Sequence, residues 1–275
     1  MPNSKELLHE LLSKITLPDR EEASAIAYFL LEQRFGLKRS DIMVGKPIDT
    51  SDLLRQDIER INRHEPVQYI TERAWFKNRL FIVKPGVLIP RPETELLVDE
   101  VIRAVQHPSS IIVDVGVGSG CISISLALAL PRATITGVDI SDIALSVARE
   151  NVKQFKVAVE LQKKDILSEP LPEGLDIIVS NPPYIPEQEK KNMEANVLDF
   201  EPPTALFVSD DDPLLFYGAL AEQGMRALKP GGKLIAELNP NLSQDTASLL
   251  ESFGYRQVML IRDLEGKNRI VKATR

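Results

Sequence analysis

Cysteine is almost missing from this chain of 275 residues, which has one, Cys121. No intrachain disulfide can form, so a reducing, cytoplasmic setting is expected. Histidine is scarce as well: His9, His64 and His107 all fall outside the motifs described below, so no metal centre is expected. No apolar run approaches the ~18 residues that a membrane span takes. Met1-Pro-Asn-Ser-Lys-Glu6 lacks the apolar core of a secretion signal. There is no surplus of positive charge either. The 33 basic and 40 acidic residues leave a net −7, a poor match to a protein that grips phosphate backbones. Arg60, Arg63, His64, Arg73, Lys77 and Arg79 form a local basic cluster, read as a solvated helix face and hairpin. Cys121, which follows three glycines, is read as a small packing residue rather than a reactive thiol.

What is present is strand-end chemistry. Ile111-Ile-Val-Asp-Val-Gly-Val-Gly-Ser-Gly120 reads as a strand running into a glycine loop, followed by a helix over 121–130. Glycines at 116, 118 and 120 permit a sharp turn and close approach of a ligand to the main chain. A dinucleotide fingerprint needs the spacing G-x-G-x-x-G, but here the third glycine arrives one residue early. Asp114 stands just before the loop, where a carboxylate opposes a pyrophosphate and favours a cationic group. A second strand, Ala133–Asp139, ends in an acid about 20 residues past the glycines, placed to accept from two ribose hydroxyls, with Ile140 beside it. A third segment, 157–162, leads to Asp165 and Ile166, suited to the edge and face of an adenine ring. The ordered set Asp114, Gly116, Val117, Gly118, Ser119, Gly120, Asp139, Ile140, Asp165 and Ile166 describes an S-adenosylmethionine site.

Asn181-Pro-Pro-Tyr184 closes the apolar run Leu175–Ser180. Two prolines cannot donate to a sheet ladder, so the chain leaves the sheet there. Asn181 therefore sits at the carboxyl end of a strand, where open α/β sheets hold their ligands. Its planar amide offers one acceptor and two donors, Pro182 and Pro183 fix the nearby carbonyls, and Tyr184 offers an aromatic face. Such a site would grip a flat, nitrogen-bearing group. The four residues alone also suit a plain proline-rich turn.

Helical spacing prevails up to about residue 70: Leu7, Leu8, Leu11, Leu12 and Ile15, then Ala23, Ile26, Ala27, Leu30 and Leu31 behind Pro18-Asp19, then Ile58 and Ile61. A hairpin is expected over Trp75–Leu88, turning at Lys77-Asn78 and again at Pro85-Gly86. Strands are expected near 111–115, 133–139, 157–162, 175–180, 233–238, 256–262 and 268–272. Intervening helices include 94–106, 142–154 and 213–228, and Lys229-Pro-Gly-Gly232 is the turn into the fifth strand. Alternation of this kind implies an α/β fold with a mainly parallel sheet. The last two strands lie so close in sequence that one should run antiparallel.

The glycine loop, Val138-Asp139-Ile-Ser and Asn-Pro-Pro-Tyr resemble class I methyltransferases that modify planar nitrogens. Three further stretches, Glu65-Pro-Val-Gln-Tyr-Ile-Thr71, Ile89-Pro-Arg-Pro-Glu-Thr-Glu95 and Glu201-Pro-Pro-Thr-Ala-Leu206, are similar to the release factor glutamine methyltransferase family across nearly the whole chain. The resemblance implies a seven-stranded, mainly parallel, Rossmann-like sheet over 91–275, a small helical substrate-recognition domain over 1–72 and a hairpin linker over 73–90. It implies methyl transfer from S-adenosylmethionine, released as S-adenosylhomocysteine, to the glutamine amide in the Gly-Gly-Gln loop of peptide chain release factors. Asn181, Pro182 and Tyr184 would be catalytic; Pro183, Pro90, Arg91 and Glu93 would join them at the substrate, and Asn181 would also touch the cofactor. Glu93 or Glu95 would meet the glutamine loop, or Thr94 would cap the helix that follows. Glu201-Pro-Pro is either a lid or an ordinary rigid loop. A monomer is expected, with no membrane and no sequence-specific nucleic acid as partner. Glu72, Val117, Ile166 and Glu237-Leu-Asn-Pro240 depart from the family's usual residues without removing a group the chemistry requires. The rival readings are an adenine amino methyltransferase acting on nucleic acid, which the acidic charge disfavours, and a non-catalytic cofactor-binding scaffold, which an intact Asn181 and Tyr184 disfavour.

Overall fold

The computed structural model describes residues 3–48 and 53–275. Residues 1, 2 and 49–52, part of the expected helical domain and of the N-terminal reading, lie outside the described residues. The chain divides into two units: Met1–Arg73, Val83–Pro85 and Glu194–Phe200 in the first, and Ala74–Ile82, Gly86–Met193 and Glu201–Arg275 in the second.

In the first unit, α1 (Ser4–Lys14) starts where the Asn3 side chain accepts from the Lys5 and Glu6 amides. α2 (Arg20–Phe35) is capped by Asp19 and stopped by Gly36 in the left-handed region. α3 (Arg39–Met43), α4 (Leu53–Ile61) and α5 (Val67–Thr71) follow. The expected stripes make the core, with Leu7, Leu11, Ile15, Leu30, Leu31 and Ile61 all buried. Arg34 donates through Nε (2.8 Å) and Nη2 (2.9 Å) to buried Asp57, and also through Nη2 to the Ile70 carbonyl. One guanidinium thus ties α2 to α4 and α5 in the bidentate geometry that suits arginine. Glu72 ends α5 at φ 54°, a left-handed conformation that a glycine would adopt at less cost.

The hairpin strands β1 (Arg73–Phe76) and β2 (Arg79–Ile82) turn at Lys77 (φ 48°) and Asn78 (φ 57°), the pair of positive φ values that a tight two-residue hairpin requires. Residues 74–82 group with the second unit. After α6 (Thr94–Ala104), the second unit alternates β3 (Ile111–Val115), α7 (Cys121–Ala129), β4 (Thr134–Asp139), α8 (Asp142–Phe155), β5 (Glu160–Lys163) and β6 (Leu175–Ser180). β7 (Ile185–Pro186) comes next, and α9 (Ala195–Phe200) belongs to the first unit. α10 (Pro203–Leu206), β8 (Phe207–Val208), α11 (Leu215–Ala227), β9 (Leu228–Glu237), α12 (Ser243–Ser252), β10 (Arg256–Arg262) and β11 (Asn268–Thr274) complete the chain.

Seven strands form one sheet in the order β10-β11-β9-β6-β3-β4-β5, with β11 antiparallel to both neighbours and the others parallel. Successive residues of each strand feed opposite cores. Ile112, Ile177, Val179 and Ile235 pack with α6 and α7, while Val113, Ile178, Leu234 and Ala236 pack with α11. Among the described residues no helix is long and apolar enough to cross a membrane.

Two expected strand limits need correction. β5 starts at Glu160 instead of 157, because Val157 and Val159 plug the core ahead of an edge strand that pairs only with β4. β9 starts at Leu228, ahead of Lys229-Pro-Gly-Gly232. Its register passes from Leu175↔Leu228 to Ile177↔Lys233, so that turn is a bulge inside the strand, opposite Asp176.

Candidate active site

The sheet order reverses at β3 and β6, which pair in parallel with Val115 beside Ser180. Loops leaving such neighbours at their carboxyl ends diverge and open a crevice. The glycine loop leaves β3 there and Asn181 leaves β6, so close that a Cβ on Gly116 would lie 3.7 Å from the Asn181 carbonyl oxygen. A cavity of about 470 Å³ opens at this point.

Gly116, Val117, Gly118 and Ser119 line one side, Asp139, Ile140, Asp165 and Ile166 another, and Asn181, Pro182, Pro183, Pro90 and Arg91 a third. Thirteen of the residues expected at the site therefore share one wall system. Gly116 and Gly118 have φ of 77° and 54°, which lets the loop present main-chain groups with no side chain in the way. Asp139 accepts from Gly118 N through Oδ2 and from Ser141 N through Oδ1, both at 2.9 Å. Burial raises the Asp139 carboxyl above its ordinary value, against the pull of those amides. Ser141, not Asp139, caps α8, accepting from the Ala144 amide. Asp165 holds its own turn through Leu167 N and Ser168 Oγ. Ile140 and Leu167 are exposed at the mouth, 60% and 45%. Large apolar side chains left in solvent in the lining of a cavity suit contact with a flat ring. Carboxylate, glycine loop and apolar mouth together fit the ribose, chain and adenine of S-adenosylmethionine.

Four expected site residues lie outside the lining, and each has a physical reason. Asp114 is fully buried, its Oδ2 accepting from Ser123 N (3.1 Å) and Ser123 Oγ (2.6 Å) at the start of α7. Gly120 serves as the left-handed residue that opens α7. Glu93 is exposed ahead of α6. Tyr184, expected to lay its ring on the substrate, points its hydroxyl at Glu237 Oε1 (2.9 Å) and packs on the core. Thr94 does not cap α6. Its hydroxyl donates to Glu237 Oε2 (2.7 Å) and accepts from Asn181 Nδ2 (3.2 Å). Glu95 accepts from Lys77 N (2.7 Å) and so braces the hairpin. Cys121 is buried with its thiol pushed up to about 12, as befits a packing residue.

Sequence reasoning missed Asn151, which is fully buried. It donates to the Ser119 and Ile82 carbonyls and accepts from Ile82 N, joining α8, the glycine loop and β2. The signal was a polar residue on the apolar stripe Ala144, Val147, Ala148, Asn151. Glu201 is likewise buried, accepting from Ile89 N (3.1 Å) and pairing with Arg91. That carboxylate straps the 89–91 loop to the segment carrying Pro202, Thr204 and Ala205, which also line the cavity.

Asp114 makes a testable contribution to stability. Burial, with the nearby Asp139 charge, raises it from 3.8 to about 7, and its Oδ1 has no partner. Between those values the folded chain holds a proton that the unfolded chain has lost, so stability falls as pH rises through the window. The loss is at most roughly 4 kcal/mol. In thermal melts without cofactor, Asp114→Asn should gain on the parent between about pH 4 and pH 7 and hold a constant margin above that. Parallel curves would show that Asp114 ionises normally.

A seven-stranded sheet with one antiparallel strand near its edge, a glycine loop and an acid after the next strand defines an S-adenosylmethionine-dependent methyltransferase. Residues 92–201 match the methyltransferase small domain family, and residues 6–71 match the PrmC N-terminal domain. A solved methyltransferase from Pyrococcus furiosus shares the fold, with TM-score 0.52 and 17% identity over 70% of this chain and 87% of that one. A release factor glutamine methyltransferase of Bacteroides thetaiotaomicron is 45% identical over 93% of this chain and 94% of its own length. One of Flavobacterium psychrophilum is 40% identical over 92% of each. The chain belongs to the release factor glutamine methyltransferase family.

Proposed function

We propose that this chain transfers a methyl group from S-adenosylmethionine to the side-chain amide nitrogen of the glutamine in the Gly-Gly-Gln loop of peptide chain release factors. The observation that carries the reading is the Asn181 amide, held by Thr94 at the cavity wall beside Pro182. The names of its relatives support the same substrate. A monomer working in the cytoplasm is part of the proposal, in keeping with its single, buried cysteine.

An amide nitrogen is a weak nucleophile because its lone pair is delocalised into the carbonyl. When bound, S-adenosylmethionine supplies an electrophilic methyl on a sulfonium. The chain's task is to align the amide with it, worth up to roughly 7–11 kcal/mol where alignment is good. Asn181 Oδ1 accepts one hydrogen of the substrate NH2 and the Pro182 carbonyl accepts the other. Both contacts draw electron density onto nitrogen and turn its lone pair toward the methyl. Gly116, Gly118, Asp139, Ile140, Asp165 and Ile166 would hold the cofactor. Arg91 and Pro90, fixed by Glu201, shape the substrate side. Once methylated, the nitrogen sheds a proton to water readily, so no strong base is required.

Labelled methyl should pass from S-adenosylmethionine to a purified release factor and not to duplex DNA carrying unmethylated adenine. Label on the DNA alone would replace the glutamine with an exocyclic amine as substrate.

A further inference from the structure

Glu237 is the carboxyl at the end of β9, 1% exposed, with no cation bonded to it among the described residues. It takes two hydroxyls, Thr94 Oγ1 at 2.7 Å and Tyr184 OH at 2.9 Å. Tyr217, also buried, donates to its main-chain oxygen at 3.0 Å. An acid so placed stands at a cost in solvation, and burial raises its pKa. Nothing in the methyl transfer described above uses it directly. The arrangement nevertheless has a logical consequence for Asn181. A hydroxyl has one hydrogen. With Glu237 ionised and that hydrogen committed to it, Thr94 can only accept at its other contact. The contact is the Asn181 amide, 3.2 Å away. Asn181 must therefore turn its NH2 to Thr94, leaving Oδ1 as the acceptor.

We propose that Glu237 and Thr94 are positioning residues that set the orientation of the Asn181 amide, so that its oxygen rather than its NH2 meets the substrate. The inference rests on the reaction proposed above. Reversal of the amide would set a donor against the donor NH2 of the substrate and remove the pull on its lone pair. The same carboxylate fixes Tyr184, so residues 181 and 184 of one loop are anchored from a single side chain on β9.

The test uses the full chain, a purified release factor and three variants. Thr94→Val keeps the shape of the side chain and loses the hydroxyl. Thr94→Ser restores the hydroxyl. Glu237→Gln puts an NH2 where one acceptor oxygen stood. For Thr94→Val and Glu237→Gln, kcat should fall about 10- to 100-fold, the range typical of groups that orient a working residue. Cofactor should still bind at one per chain, with affinity within a factor of about three of the parent. Full cofactor occupancy separates mispositioning from unfolding. Thr94→Ser should recover most of the lost rate. Equal losses in the Ser and Val variants, or a Val variant as fast as the parent, would overturn the proposal. So would a parallel collapse of cofactor binding. A parent that methylates no release factor would instead overturn the functional reading on which the proposal rests.

Discussion

Asn181→Ala should cripple methyl transfer, with a loss of about 10²- to 10³-fold expected in kcat and cofactor affinity kept within a few fold. In the proposed reaction the side chain supplies the acceptor for the substrate amide, and a preorganised group that meets charge as it develops is worth about 3–4 kcal/mol in the transition state. Alanine also deprives Thr94 of its donor, but the Thr94–Glu237 bond remains, so the wall keeps its shape. Single-turnover rates and calorimetric titration of S-adenosylmethionine separate the two effects. A collapse of cofactor affinity with little change in the rate at saturation would make Asn181 a cofactor ligand and contradict the role assigned to it.

Asp139→Ala has the opposite signature. Two ribose hydroxyls donating to a carboxylate are each worth about 1.5–3 kcal/mol, so a loss of affinity of roughly 100-fold or more is expected. The variant also strips the acceptor from Gly118 N and Ser141 N, which slackens the glycine loop where it borders the cavity. The rate at saturating cofactor should change far less than the affinity. Asp139→Asn should fall between, since an amide oxygen satisfies one of those N–H groups while its NH2 faces the other. An Asp139→Ala chain that binds S-adenosylmethionine as tightly as the parent would undo the ribose assignment.

How much of this was legible in the sequence follows from the range of the interactions. Period-two and period-3.6 apolar patterns placed the strands and the helices, and Lys77-Asn78 announced its hairpin turn through residues that tolerate positive φ. The cavity wall was legible because glycine spacing and strand-end acids are local marks. Limits blurred where an apolar residue did something other than extend a strand, as Val157 and Val159 do ahead of β5. The 229–232 turn became a bulge because β9 resumes pairing with β6 on both sides of it. Long-range hydroxyl contacts were not legible at all. Thr94 and Glu237 are 143 residues apart, and Tyr184 and Glu237 are 53 apart. A threonine opening a helix reads as a cap and a tyrosine beside prolines reads as an aromatic face. Only the fold brings both to one carboxylate.

The central claim is that the methyl goes to the amide nitrogen of one glutamine. Fragmentation mass spectrometry of a release factor treated with the chain and S-adenosylmethionine tests it most directly. A single methyl is expected on the glutamine side chain of Gly-Gly-Gln, absent from the Gly-Gly-Ala variant and strongly reduced in reactions with Asn181→Ala. A methyl elsewhere in the factor, or an undiminished one on the Gly-Gly-Ala variant, would contradict it.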